Sequence, residues 1–134
     1  MTMVLDTSAV IHLVERRPPA LISELRKSTE APFISAVTLG ELVVGWASLP
    51  PDSPRRRTYY AARRLRVVHI VVDSLLSEPA GLIVSFGVCR MAGMKGNDAW
   101  IAATAHLSAA TLMTYDATLA TRFARVGLST LLKL

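Results

Sequence analysis

Residues 96–116 read GNDAWIAATAHLSAATLMTYD, and this stretch places two carboxylates at the ends of a helix–strand unit. The pattern predicts a helix over about residues 97–109 and a strand over 111–114, so Asp98 opens the helix and Asp116 follows the strand. Such a helix spans about 18 Å at about 1.5 Å per residue. The extended residues that return along it cover about 16 Å at about 3.3 Å each. Because the two lengths nearly match, Asp98 is expected to lie level with Asp116.

Other apolar segments extend this unit into an alternating chain of strands and helices. Further strands are predicted at residues 3–5, 32–35, 67–72 and, as a final edge strand, 128–132. Further helices are predicted over about residues 8–15, 20–27, 37–49, 54–66, from about 79 to 92, and 117–124. The alternation predicts a single α/β domain over residues 1–134, with a central, mainly parallel sheet and helices on both faces.

The candidate functional residues are four carboxylates: Asp6, Glu41, Asp98 and Asp116. Asp6 directly follows the first predicted strand and Asp116 follows a later one. Parallel sheets bind ligands beyond the carboxyl ends of their strands, so these two acids are expected on one edge if both strands are central. Glu41 points away from the main apolar stripe of its helix, between Val37 and Val44. A helix that is apolar on both sides is expected to be covered on both sides.

Each of these acids also has a purely structural explanation. Asp6 and Asp98 suit helix N-caps, Asp116 suits a turn, and Glu41 suits a solvated surface. Taken singly, these explanations are as good as a metal-ligand role. Carboxylates gathered on one edge repel one another, however, and a cation between them removes the repulsion. The set therefore indicates a divalent-metal site next to basic surface, which suits phosphate chemistry.

The chain is basic, with 15 basic and 10 acidic residues and a net charge of +5. Arginines cluster at residues 16–17, 55–57 and 63–66, and the predicted helix over 54–66 is expected to present several of them to solvent. Such a surface suits nucleic acid or an acidic partner, with simple solubility as the alternative. The single Cys89 excludes an internal disulfide framework. No apolar run is long enough to span a membrane, so a cytoplasmic protein is expected.

Four motifs carry a resemblance to a known family. They are Val4-Leu-Asp6-Thr-Ser-Ala-Val-Ile11, Ser35-Ala-Val-Thr-Leu-Gly-Glu41-Leu-Val-Val-Gly45, Asn97-Asp98-Ala-Trp-Ile-Ala-Ala-Thr-Ala105 and Thr114-Tyr-Asp116. Any one of them is a weak signal, but four in this order and at these spacings cover nearly the whole chain. The chain resembles the PIN-domain ribonucleases, and among them the VapC-type toxins of bacterial toxin–antitoxin pairs.

This resemblance implies an endoribonuclease that depends on Mg²⁺, with Mn²⁺ able to substitute. It implies that the four acids form the catalytic metal site, and that nearby polar side chains support them: Thr7 or Ser8, Asn97 and Thr114. It also implies a homodimer and a small VapB-type antitoxin whose C-terminal tail covers the active-site groove. A transfer RNA and a ribosomal RNA loop fit equally well as the substrate.

The approach to the third motif departs from the family pattern. Gly93-Met-Lys-Gly-Asn97 is more basic and more flexible than expected, and Thr118-Leu119 stands after Asp116 where an aromatic residue is common. Neither departure touches the four acids. Both therefore bear on how substrate fits rather than on the chemistry.

Two other functions remain open on the residues alone. A receiver-like signalling domain also places acids at strand ends. It would need an acidic pair after the first strand, but here Thr7 follows Asp6. It would also need a lysine late in the chain at the site, but the only late lysine is the terminal Lys133. A PIN fold that only binds is the second alternative, and the complete acid set argues against it. Metal-dependent cleavage of RNA separates both from the nuclease. His12, His69 and His106 form no ligand pair and are expected to be structural or surface residues.

Overall fold

Five short parallel strands form the centre of the computed structural model, which describes residues 3–28, 30–56, 69–70, 79–127 and 130–132. The strands are β1 (Met3–Leu5), β2 (Phe33–Ile34), β3 (His69–Ile70), β4 (Thr111–Thr114) and β5 (Thr130–Leu132). The helices are α1 (Thr7–Glu15), α2 (Pro19–Lys27), α3 (Ala36–Ala47), α4 (Pro79–Met91), α5 (Gly96–Leu107) and α6 (Ala117–Ala124). These bounds follow the sequence prediction to within two or three residues.

The strand order is β3-β2-β1-β4-β5, and every pairing is parallel. The chain moves outward from β1 to β2 and β3, then returns to place β4 on the other side of β1. This reversal makes the junction of β1 and β4 the topological switch point, where open α/β sheets form their ligand crevice. Leu5 pairs with Met113, so both strands end at the same level. The predicted α/β sheet is confirmed, and the two strands that precede Asp6 and Asp116 are central neighbours.

The two faces of the sheet carry separate apolar cores. Met3 and Leu5 point to one face and pack with α1 and α2. Val4 and Leu112 point to the other and pack with α4, α5 and α6. Alternation along β1 divides the two faces, as the two-residue period of a strand requires. Helices therefore cover both sides of the sheet, as the alternating sequence predicts.

Helix α3 lies against both cores without being covered all round. Ser35 caps it as predicted, accepting a 3.0 Å hydrogen bond from Thr38 N. Val37 packs against one core and Leu42 against the other. Val44, however, is 65% exposed. The prediction that apolar residues on both sides of this helix imply cover on both sides is wrong at this position.

The predicted basic helix falls mostly outside the described residues. Its first three residues, 54–56, are helical, and their arginines are engaged rather than free. Arg55 Nε pairs with Glu15 Oε1 at 3.0 Å, and the Arg56 guanidinium lies 4.5 Å above the ring of Trp46. Arg55 is exposed, as predicted for several arginines of this helix, whereas Arg56 is half-buried and makes a cation–π contact.

None of the helices in the described segments combines the length and hydropathy that a bilayer crossing requires.

Candidate active site

Asp6 is the most buried acid of the candidate site, with 4% of its surface exposed. It follows β1 directly and caps α1, and its backbone N–H donates to Met113 O of β4 at 3.0 Å. Oδ1 accepts from Ser8 Oγ at 2.7 Å and from Ala9 N at 2.8 Å. Oδ2 accepts from Thr114 Oγ1 at the end of β4. The carboxylate is therefore fixed from helix α1 and from strand β4.

Competing effects set the pKa of Asp6. Burial raises this pKa, the hydrogen bonds from Thr114, Ser8 and Ala9 lower it, and the charge of Asp116 raises it, with a net upward shift. The N-cap role that was the structural alternative for Asp6 is real. It does not exclude a ligand role, because Oδ2 has a single donor among the described residues and keeps an acceptor site.

Asp116 follows β4 and caps α6. Its Oδ1 accepts from Thr118 N at 2.9 Å and from Leu119 N at 3.1 Å. Its own N–H donates to Thr114 Oγ1 at 3.0 Å, so Thr114 links Asp116 to Asp6. No hydrogen bond within the described segments reaches Asp116 Oδ2, and the side chain is exposed. One oxygen thus anchors the helix while the other faces the crevice.

Asp98 lies in the first turn of α5, and that helix begins two residues before it. Lys95 occupies the N-cap position, so the N-cap explanation for Asp98 is wrong. Burial raises the pKa of Asp98, the charges of Asp116 and Asp6 raise it further, and Lys95 and Arg122 lower it. These mutual effects show that the three aspartates lie within electrostatic range of one another. The matching lengths of α5 and β4 predict this proximity of Asp98 to Asp116.

Glu41 reaches the same region from α3 through a single contact. Thr7 Oγ1 donates to Glu41 Oε1 at 2.8 Å, which joins α3 to the first residue of α1 beside Asp6. Glu41 is half-buried, not a fully solvated surface residue. Its charge is not among those that raise the pKa of Asp6 or Asp98.

The predicted supporting residues divide into two groups. Ser8 and Thr114 contact Asp6 directly, Ser8 Oγ also accepts from Tyr115 N at 3.0 Å, and Thr7 holds Glu41. Asn97 is exposed, and its side chain has no hydrogen bond to the described part of the chain. The structure therefore gives Ser8, Thr7 and Thr114 a contact with an acid, and gives Asn97 none.

A divalent cation fits the chemistry of this donor set. Carboxylate oxygens are the ligands that Mg²⁺ and Mn²⁺ prefer, and a cation would offset the effects of burial and of neighbouring aspartate charge that raise the pKa values of Asp6 and Asp98. Within the described segments, no three Asp, Glu, His or Cys side chains already converge on one point. Asp98 and Asp116 are the more accessible of the three aspartates.

Sequence reasoning missed one residue that lines the site. Arg122 of α6 lies with Lys95, Asp98 and Asp116 around a pocket of about 180 Å³. It stands six residues after Asp116, so helical periodicity places it between one and two turns along the same helix. That spacing was the available signal, since an arginine on an amphipathic helix otherwise looks like a solvated residue.

A comparison with protein families decides where this chain belongs. The PIN domain profile matches residues 3–127. The chain belongs to the PIN domain family. This PIN domain is 40% identical over 86 residues to Ribonuclease VapC4 of Mycobacterium tuberculosis (strain ATCC 25618 / H37Rv). The matched region is 62% of this chain and 65% of that relative, a little under two thirds of its length.

Solved structures share the fold of this PIN domain. VapBC2 from Rickettsia felis, bound to a DNA fragment from its promoter, superposes with a TM-score of 0.73 at 22% identity over 98% of both chains. VapBC-1 from nontypeable Haemophilus influenzae gives 0.75 at 20% identity, also over 98% of both chains. At this level of identity these likenesses establish the fold.

Proposed function

We propose that this chain is a metal-dependent endoribonuclease that acts in the cytoplasm as the toxin of a toxin–antitoxin pair. The observation that carries the proposal is that Asp6 and Asp116 follow the neighbouring strands β1 and β4 at the switch point, with Asp98 close enough for both charges to raise its pKa. The similarity to Ribonuclease VapC4 supports the nuclease, and the shared fold with the VapBC2 and VapBC-1 proteins supports the pairing with an antitoxin.

The three aspartates would hold the cation, with Glu41 completing the set from α3. Mg²⁺ is the proposed ion, with Mn²⁺ able to substitute. The chemistry that such a cation supplies is activation of water and neutralisation of charge at a phosphodiester. The charge arrangement also explains why the acids tolerate one another, since a shared cation offsets their repulsion.

The chain's own residues orient this set before substrate arrives. Thr114 fixes Asp6 and the backbone of Asp116, so it sets the separation of these two carboxylates. Ser8 fixes the other oxygen of Asp6 and the backbone of Tyr115. Thr7 sets the direction of Glu41. A site oriented in this way loses little further entropy on binding a substrate phosphate.

A VapB-type antitoxin and a second copy of the chain are the proposed partners. Several large apolar side chains are exposed on α3 and α4: Val43, Val44, Ile83, Val84, Val88 and Met91. Met91 is 90% exposed, and Val84, Val88 and Met91 recur at intervals of four and three residues, so they form one exposed apolar stripe on α4, as is typical of an interface. We propose a homodimer. Light scattering of the purified chain measures that state, and a monomer at all concentrations would contradict it.

The test is cleavage of RNA by aspartate variants. Asp6→Asn, Asp98→Asn and Asp116→Asn are each expected to abolish cleavage in Mg²⁺ or Mn²⁺, and Glu41→Gln to reduce it strongly. Asp52→Asn, an exposed acid outside the site, is the matched control and should cleave normally. Full activity of Asp98→Asn, or cleavage undiminished by EDTA, would overturn the proposal. Transfer RNA and ribosomal RNA are the substrates to compare first.

A further inference from the structure

A pocket opens beside the carboxylates, between the start of α5 and the outer side of α6. Its volume is about 180 Å³, and Asp98 and Asp116 form its inner side. Lys95 and Arg122 contribute two positive charges, and Met94 and Leu119 form an apolar wall. The pocket has room for one phosphodiester group and part of its ribose. It thus combines the size, the charge and the position of a subsite for the RNA backbone.

Neither cation of this pocket is committed to a partner in the described part of the chain. Ion pairs there join Lys27 to Glu24 and Arg55 to Glu15, and neither Lys95 nor Arg122 takes part in one. Both nevertheless lie close enough to lower the pKa of Asp98. An arginine that only neutralised Asp98 would be expected to form a paired hydrogen bond with it, since guanidinium and carboxylate match in geometry. These cations stay beside the acids and keep their donors available.

The loop before α5 carries Lys95 and passes close to Arg122. Arg90 Nη1 donates to Met94 O at 2.9 Å, which ties the loop to the end of α4. Gly93 has a φ of +94°, and a Cβ at this position would lie 3.4 Å from Arg122 Nε. The guanidinium therefore lies at van der Waals distance from the loop, while the positive φ is what favours glycine at this position. This is the segment in which the sequence departs from its family pattern toward basic character.

We propose that Lys95 and Arg122 bind the RNA phosphate next to the one that is cleaved, and so position the chain of the substrate across the carboxylates. The proposal rests on the proposed nuclease function. An RNA strand crossing the site meets three aspartates, and a flanking pair of cations offsets their repulsion of the neighbouring phosphate. Contacts of this kind add affinity without reading the base sequence.

Binding measurements without metal test the pocket apart from the chemistry. The probe is a short fluorescein-labelled single-stranded RNA, followed by anisotropy in EDTA at several salt concentrations. Lys95→Gln and Arg122→Gln are each expected to weaken binding and to flatten the salt slope by about 0.7, the value for one phosphate contact on a single strand. Arg125→Gln, which removes an exposed charge near the end of α6 outside the pocket, is the matched control and should leave the slope unchanged.

Cleavage of an RNA in which one phosphodiester is replaced by a neutral linkage identifies the phosphate that Lys95 and Arg122 bind. In the wild-type chain, a methylphosphonate next to the cleaved bond is expected to raise KM about ten-fold, a size typical of one charge-assisted contact. In Arg122→Gln the same linkage should raise KM little further, with kcat nearly unchanged. Arg122→Lys should recover part of the loss. Equal effects of the linkage in the wild-type and variant chains would overturn the assignment.

Each failure has its own signature. Wild-type chain that cleaves no RNA in Mn²⁺ contradicts the nuclease function itself. Wild-type chain that cleaves, with Lys95→Gln and Arg122→Gln behaving like Arg125→Gln, overturns the phosphate subsite alone. Loss of affinity for an acidic antitoxin peptide, with RNA binding intact, also overturns it. Lys95 is exposed, so Lys95→Gln still decides the question if Arg122→Gln fails to fold.

Discussion

Asp6 shows how one buried carboxylate is kept in place at a cost in stability. Burial disfavours its charge, while three donors hold it, two from helix α1 and one from strand β4. Thr114 is central because its hydroxyl donates to Asp6 and accepts from Asp116 N. A single hydroxyl group therefore sets both the direction of one acid and the position of another.

Thr114→Val is expected to reduce cleavage about 10–100-fold, the usual effect of losing a group that orients a metal ligand. Valine keeps the shape of threonine but can neither donate to Asp6 nor accept from Asp116 N. The measurement is kcat together with the Mn²⁺ concentration that gives half-maximal activity. Thr121→Val removes a hydroxyl that bonds Ala117 O on the exposed side of α6 and is the control. Unchanged cleavage by Thr114→Val would contradict the orienting role.

Helix α5 brings Asp98 to the site because its buried face is made of small residues. Ala99, Ala102, Ala103 and Ala105 are all fully buried in one core. Alanine allows close packing of helix against sheet, so the start of α5 returns to the level at which β4 ends. A larger side chain on this face would displace the helix and move Asp98 away from Asp116.

Ala102→Leu is expected to destabilise the fold by about 1–3 kcal/mol, the usual cost of overpacking a core. Because the strain displaces α5, cleavage should fall even at temperatures where the variant remains folded. Thermal unfolding and kcat at low temperature measure the two effects. Ala124→Leu makes the same change at an exposed position at the end of α6 and should lower neither the unfolding temperature nor kcat. Normal kcat in folded Ala102→Leu would show that Asp98 tolerates the displacement.

The elements also show what could be predicted from sequence. The bounds of β1, β4 and α6 were predictable because short apolar runs end at capping acids, and the position of Asp98 followed from helix and strand lengths. Cover around α3 was not predictable, since periodicity identifies apolar faces without showing what packs on them. Arg122 was missed for a related reason. A residue on an amphipathic helix reveals its neighbours only when the packing of that helix is known.

At the scale of the whole molecule, a basic chain concentrates its uncompensated acids at one edge. The net charge is +5, yet Asp6 and Asp98 both have raised pKa values from burial and from neighbouring acids. A polyanion is attracted to the molecule as a whole, while the crevice itself attracts cations. The active edge is thus unfavourable for the fold until positive charge enters it.

This conflict predicts how the stability of the metal-free protein depends on pH. The folded chain holds protons on Asp6 and Asp98 at pH values where the unfolded chain has released them. Its stability should therefore fall as pH rises from the ordinary Asp pKa through the raised values, and stay lower above them. Thermal unfolding in EDTA between about pH 4 and pH 7 measures this. Asp98→Asn should unfold at a higher temperature than wild type at neutral pH, with the difference shrinking toward low pH, whereas Asp52→Asn should follow wild type. A wild-type curve parallel to that of Asp98→Asn would contradict it.

Addition of Mn²⁺ should restore the stability that the metal-free protein loses at neutral pH. A cation that binds only the folded chain stabilises it by about 2.7 kcal/mol at a hundredfold excess over Kd, or roughly 10 °C for a domain of this size. Asp98→Asn has less negative charge to offset, so its unfolding temperature should rise much less with Mn²⁺ although it begins higher. The two curves are therefore expected to cross as Mn²⁺ increases. Wild-type unfolding that is unmoved by saturating Mn²⁺, or an equal rise in both chains, would show that Asp98 does not share a cation with Asp6 and Asp116.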